Sequence, residues 1–258
     1  HAAGFFAVKK GLERVKSSGA LLINIINSNH PGALAPMALH AAESGAICLI
    51  FANADSLMSS PGTNQTFFGT NPICLAAPRA VENPVCIDMA TTMFTWNKLL
   101  RFKDDGLFLP PGVAIDANGE DVVDPNMAVA LKPIGSYKGF CLAAMVEMLT
   151  SVLGSMRFGT EIPKMYEEGD SDGRGLAQTI LLIDPDGFTS LTDYAFDLDK
   201  MSEMVRHLDM SGGSKTLMPG DPEELMLADR RSNGIPFSPT DSMNFRKISV
   251  ELGVDWVG

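Results

Sequence analysis

The sequence predicts an α/β protein on three observations: helical and strand-like apolar patterns alternate from the amino terminus, the strand-like runs are short and β-branched, and glycines punctuate the junctions. From Ala2 to Ser18, Phe5, Val8, Leu12 and Val15 recur at three- and four-residue steps, with Lys and Arg late in the segment and Gly19 as a stop, so an amphipathic helix is expected. Leu21 to Asn27 reads as a strand, Leu34 to Ser44 returns to helical spacing with Gly45 after it, and Ala46 to Ala52 is apolar again. This α-β-α-β opening implies a sheet buried, at least in part, on both faces.

Pro84 to Met89 is the next strand-like run and leads into Thr91-Thr92. The stretch from Pro110 to Tyr137 is rich in Pro, Gly, Asp and Asn with only brief apolar islands, which predicts a long loop lying over a site as a lid. Lys138 opens a periodic helix through Leu153, with Phe140, Leu142, Val146, Leu149 and Leu153 as its apolar stripe and Gly154 at its end. Glu167 to Gly175 reads as an exposed loop, and Thr179 to Ile183 as a strand closed by the turn Asp184-Pro185-Asp186-Gly187. Phe196 to Leu208 is helical in pattern. Met218-Pro219-Gly220 is a turn into a helix that starts with Asp221-Pro222-Glu223-Glu224, and Asp241 to Leu252, stopped by Gly253, is the last helix.

With 258 residues, 45% of them apolar and 20% charged, the chain can bury a substantial core. A net charge of -11, with no basic cluster beyond Arg230-Arg231, argues against nucleic acid as a partner. No apolar run reaches the roughly 18 residues that span a bilayer, so no membrane partner is expected. Cys48, Cys74, Cys86 and Cys141 sit in apolar runs without C-x-x-C spacing and read as reduced core residues of a cytoplasmic protein. The chain opens at His1 without methionine, and a fragment of a longer protein is expected.

No G-x-G-x-x-G or phosphate-loop motif is present; Gly212-Gly213-Ser214-Lys215-Thr216 has the wrong spacing. Histidines scattered at 1, 30, 40 and 207 predict no metal site. His30, in Ser28-Asn29-His30-Pro31-Gly32, stands at a strand-to-helix turn, where an imidazole can exchange a proton with a substrate hydroxyl or carbonyl; a surface turn histidine is the alternative. Asp88, at a strand end, suits either ribose hydroxyls or the N-cap of a helix from Ala90 onward. Lys138, at a helix start, opposes the dipole unless an anion binds nearby, and is otherwise a solvated lysine. Asn71-Pro72 offers an amide to a ligand, or is plain turn chemistry.

Together these segments resemble the malate/L-lactate dehydrogenase family of the second type, which includes ureidoglycolate dehydrogenase, 2,3-diketogulonate reductase, sulfolactate dehydrogenase and cyclic imino-acid reductases. The resemblance rests on six motifs in the family's order: Asn27-Ser28-Asn29-His30-x-Gly32, Gly69-Thr70-Asn71-Pro72, Ile87-Asp88-Met89-Ala90-Thr91, Asp116-Ala117-Asn118-Gly119, Pro133-x-Gly135-x-x-Lys138-Gly139 and Pro219-Gly220-Asp221. It implies a non-Rossmann NAD(P)-binding α/β fold with a mixed β-sheet flanked by helices, usually a homodimer, acting on a small 2-hydroxy/2-oxo acid of malate, lactate or ureidoglycolate type. It further implies His30 as acid/base and Asp88, Met89, Ala90, Lys138, Gly220 and Asp221 as contacts of NAD or NADP; Asn71, by its amide, is expected on the substrate side.

The chain departs from the family at Pro31, Ala54 and Asn97, and lacks the family's opening Ser-His-Gly and downstream arginine. The expectation is therefore one large NAD(P)-binding body over residues 1–258, with its C-terminal helices packing back toward that missing segment. A catalytically incomplete dinucleotide-binding homologue is the alternative.

Overall fold

The first 52 residues fold in the order their pattern predicts: α1 (Ala2–Ser18), β1 (Ala20–Ser28), α2 (Ala35–Glu43) and β2 (Ile47–Ala52). Gly19, at φ 74°, makes the left-handed exit from α1 that the glycine predicts. A hairpin of β3 (Ile73–Ala77) and β4 (Val85–Met89) follows, then α3 (Trp96–Asp104), capped by the Thr95 side chain. The short strands β5 (Ala114–Ile115), β6 (Asp121–Val122) and β7 (Ala130–Leu131) precede α4 (Tyr137–Glu147), which runs on through a π-helical turn, Met148–Val152. After β8 (Leu176–Ile183) and α5 (Leu191–Arg206) come α6 (Asp221–Asn233) and α7 (Pro239–Leu252).

The computed structural model describes residues 1–165, 173–208 and 216–256, in two compact units, His1–Thr216 and Leu217–Gly258. Most of the expected loop at 167–175, and all but the last residue of the glycine-rich stretch at 212–216, lie outside the described residues. The second unit holds α6 and α7, where Ser238 and Asp241 form a reciprocal capping box and Phe237, Phe245 and Trp256 cluster, with Phe245 and Trp256 stacked at 4.9 Å.

The main sheet has the order β1-β8-β2-β3-β4. β8, last in sequence, enters between β1 and β2 and pairs antiparallel with both, Leu181 lying opposite Leu22 on one side and Leu49 on the other. β1 and β2 therefore run in the same direction without touching, and every pairing between named strands is antiparallel. One face carries α1 and α2 over Val8, Val15, Met37, Ile50, Ile180 and Leu182, each essentially fully buried and each worth about 1.5–3 kcal/mol for a side chain of this size. The buried stripe of α1 is Gly4, Ala7, Val8, Gly11 and Val15 rather than the larger residues, and Phe5 is exposed. A Cβ on Gly11 would lie 2.4 Å from Leu182 Cδ1, so the helix sits too close to the sheet for anything bulkier.

Side chains alternate along β8, so Thr179 points away from Ile180, toward the π-turn. There its hydroxyl donates to Leu149 O at 2.6 Å, and Asn24 Nδ2 donates to Thr150 O at 3.2 Å and to Thr179 Oγ1 at 2.7 Å. These side chains take up carbonyls that the widened turn releases. Of the stripe predicted for α4, Val146 is fully buried and Phe140, Leu142 and Leu149 are partly buried. Gly139, Ala143, Val146 and Glu147 face inward, and Leu153 is exposed.

The expected lid is also corrected. Its apolar islands supply a three-stranded sheet, β6-β5-β7, over a second core of Phe94, Leu99, Leu109, Val113 and Leu131. Among the cysteines, Cys48 and Cys74 are buried as expected, and burial pushes the Cys48 thiol up to about 12; Cys141 is exposed. Among the described residues, no helix is long and apolar enough to cross a membrane, and no group of three His, Cys, Asp or Glu is placed to hold a metal ion.

Candidate functional site

The register of the main sheet brings four loops to one end of it. Ser28 lies opposite Leu176, Ala52 opposite Gln178, Phe51 opposite Ile73, and Ile73 opposite Met89. The chain leaving β1, β2 and β4, and the chain entering β3 and β8, therefore meet at the same edge. They enclose a cleft of about 560 Å³. His30 and Leu34 reach it from the turn before α2, Ala54 and Asp55 from the end of β2, and Thr70 and Pro72 from the entry to β3. Asp88 and Ala90 close it at β4, Trp96 and Asn97 at the start of α3, and Lys164 and Met165 from the segment before β8. A larger groove of about 720 Å³ lies at the opposite end of the sheet, beside α5. There Arg79 is matched by Glu82 and Asp199, and none of the motif residues gathers.

His30 stands at the cleft with its Nδ1 accepting the Gly32 N–H at 3.0 Å, a bond that Gly32 reaches at φ 73°. A nitrogen that accepts carries no proton, so the neutral ring holds its proton on Nε2. Burial holds His30 below the ordinary histidine range; the Arg174 guanidinium adds to this and the Asp55 carboxylate opposes it. These causes favour the neutral ring, the state a base requires.

Asp88 is not the N-cap of a helix from Ala90. No helix starts at Ala90. Asp88 Oδ2 instead accepts the backbone N–H groups of Leu34 at 2.9 Å and Ala35 at 2.8 Å, capping α2 from a different strand and complementing its dipole. Among the described residues, Oδ1 has no hydrogen-bond donor and remains for a ligand. Met89 is partly exposed and Ala90 lines the cleft.

Asn71 is corrected as a substrate contact. Its side chain is fully buried and spent inside the protein: Oδ1 accepts Ala54 N–H at 3.0 Å, and Nδ2 donates to Ala143 O at 3.0 Å and Glu147 Oε2 at 2.7 Å. With φ at 27°, it turns the chain so that Thr70 and Pro72 form cleft wall. Gly69 approaches Ala54 so closely that a Cβ would lie 2.4 Å from the Ala54 oxygen.

Lys138 is exposed in the first turn of α4 and does not line the cleft. The neighbouring Gly139 packs on backbone, where a Cβ would lie 2.5 Å from Ile134 N and 2.6 Å from Thr91 O, fixing the start of α4 against the segment that follows Ala90. Gly220 and Asp221 belong to the second unit. Gly220 has φ 101° at the N-cap of α6, and Asp221 Oδ2 accepts Met218 N–H at 2.9 Å.

The sequence reading missed Asp55, Lys164, Arg174 and Glu147. Asp55 had the same signal as Asp88, a carboxylate just past an apolar strand. Glu147 interrupts an apolar helix, which marks a buried polar partner as readily as a helix end. Arg174, in an acidic and glycine-rich stretch, carried no signal.

A family model described as malate/L-lactate dehydrogenase matches residues 1–244. The chain is 29% identical over 240 residues to ureidoglycolate dehydrogenase (NAD(+)) of Escherichia coli (strain K12), covering 91% of this chain and 68% of that protein. It is 33% identical over 217 residues to (2R)-3-sulfolactate dehydrogenase (NADP(+)) of Chromohalobacter salexigens, covering 80% of this chain and 65% of that protein. The solved structure of malate dehydrogenase from Pyrococcus horikoshii OT3 superposes with a TM-score of 0.88 at 25% identity, covering 99% of this chain and 72% of that one.

Proposed function

The chain belongs to the malate/L-lactate dehydrogenase family, and from that premise we propose that it transfers a hydride reversibly between NAD or NADP and a small 2-hydroxy/2-oxo acid. The carrying observation is convergence: His30, the Gly69-to-Pro72 turn and the Asp88-to-Ala90 strand end, three separate motifs, border one cleft. Relatives named for ureidoglycolate and sulfolactate support the substrate class, and one named for NAD(+) and one for NADP(+) support either cofactor.

The donor set fits a nicotinamide nucleotide. Asp88 Oδ1 and the Thr70 and Thr95 hydroxyls suit ribose, while Leu34, Ala54 and Pro72 provide apolar wall. Asp88, Met89 and Ala90 would hold the cofactor, with Lys138 as a further contact, and the cofactor would supply the hydride chemistry when bound. His30 handles the proton. In reduction the imidazolium would give its Nε2 proton to the carbonyl oxygen and end as the neutral Nδ1–H ring, and oxidation is the reverse, with bare Nε2 taking the hydroxyl proton. Nδ1 carries a proton in both directions, so the ring releases Gly32 to react. Lys164, a cation on the cleft wall of an acidic protein, suits the substrate carboxylate.

The working form is a cytoplasmic homodimer with neither nucleic acid nor membrane as partner. The experiment is a panel of 2-hydroxy acids, 2-oxo acids and cyclic imino acids, tested with each cofactor and followed by nicotinamide absorbance. Turnover of at least one hydroxy/oxo pair is expected. Turnover confined to the imino acids would move the protein to the reductase branch, and a thermal shift with cofactor but no turnover of any compound would favour a binding protein.

A further inference from the structure

A buried ion pair that the proposed reaction does not use stands at the wall of the cleft. Asp55 and Arg174 meet at 2.5 Å, with side chains 9% and 14% exposed. The remaining contacts run to one stretch of wall: Arg174 Nε donates to Pro163 O at 3.0 Å, and Asp55 Oδ2 accepts Met165 N–H at 3.2 Å. Lys164, between those two anchor points, and Met165 both line the cleft with His30. Asp55 itself follows Asn53 and Ala54, whose backbones are bonded to Ala177 and to the Asn71 side chain, so the pair is tied to the sheet.

We propose that Asp55 and Arg174 are positioning residues for the reaction: they fasten the Lys164–Met165 wall to the end of β2 and set two opposed charges beside His30. The inference rests on the reading of His30 as the proton-handling group. One charge without the other would leave the wall free and the imidazole facing an unbalanced neighbour. The charged groups around His30 are Asp55 after β2, Arg174 before β8, Lys164 on the intervening wall, Asp88 on β4 and the α-amino group of His1. Of these, Asp55 and Arg174 oppose one another in their effect on the ring, which separates their role from simple support.

The test is NMR titration of the His30 ring in the whole protein, beside KM and kcat for an active oxo acid, in Asp55→Asn, Arg174→Gln, Arg174→Lys and the double variant D55N/R174Q. Asp55→Asn is expected to lower the His30 midpoint and Arg174→Gln to raise it, each by about half a unit or more. The double variant, which leaves no lone buried charge and so keeps the test open if a single variant fails to fold, returns close to the parent value. Arg174→Lys keeps the charge but lacks the guanidinium's fork, so it holds the midpoint while raising KM several-fold. Midpoints that stay put, or move the same way in the two single variants, overturn the charge balance; an unchanged KM in Arg174→Lys overturns the tether. Midpoints that move as stated while the pH profile of turnover ignores them support the pairing and overturn the catalytic reading of His30.

Discussion

Asp88 serves two neighbours at once. Its Oδ2 caps α2 through Leu34 and Ala35 while the residue also lines the cleft, so substitutions there bear on stability and on binding together. Asp88→Ala should cost about 1 kcal/mol through the lost cap, read by urea unfolding, and weaken cofactor binding as well; Asp88→Asn keeps an acceptor for the cap and should recover most of the stability. His30 carries a pH signature of definite sign. Its folded value lies below the ordinary one, so the native ring resists protonation, and the unfolded chain binds more protons between the two values. Stability should therefore fall as pH drops below about 6.5, and the acidic limb of kcat/KM for alcohol oxidation should lie below that of an unperturbed histidine. His30 was legible as a motif residue, because a titratable group at a strand-to-helix turn is visible in sequence. The capping role of Asp88 was not, since its partners are 54 and 53 residues away.

α4 and its π-turn act as the brace behind the cleft. Glu147 accepts from Asn71 Nδ2 at 2.7 Å and Gly159 N–H at 2.8 Å, joining the helix to the Gly69-to-Pro72 wall and to the segment after the π-turn. Burial raises the Glu147 carboxyl above the usual carboxylate range, although these hydrogen bonds oppose the shift. Glu147→Gln turns an amide toward one of two donors and should cost about 1–3 kcal/mol in unfolding measurements, with the wall of the cleft loosened. Gly139→Ala should be comparably harmful, because the new Cβ would meet the backbone of Ile134 and Thr91 rather than a side chain able to move. The existence of α4 was readable from its period. Its inward face was readable only at Val146, because apolar pattern favours large residues and passes over Gly139 and Ala143.

For the whole first unit, the consequence of topology is that motifs scattered from residue 28 to residue 90 meet at one sheet edge. Their convergence depends on β8, which enters between β1 and β2 from more than 120 residues further along. Local pattern identified β1, β2, β4 and β8 as strands and passed over β3; the order of the strands is a product of long-range pairing and leaves no local signal. The same limit explains the predicted lid, whose short apolar islands close a small core only when three strands assemble. The overall charge of -11 also leaves the recognition of an anionic acid to local cations, of which Lys164 stands on the cleft wall.

The central claim is that this cleft carries hydride transfer with His30 moving the proton. Single-turnover reduction of an active 2-oxo acid by bound NADH or NADPH, compared between the parent protein and His30→Ala, tests it most directly. The account predicts a rate lower by about 10²–10⁴ with cofactor affinity changed by no more than about threefold. A variant that transfers its hydride at the parent rate would contradict it.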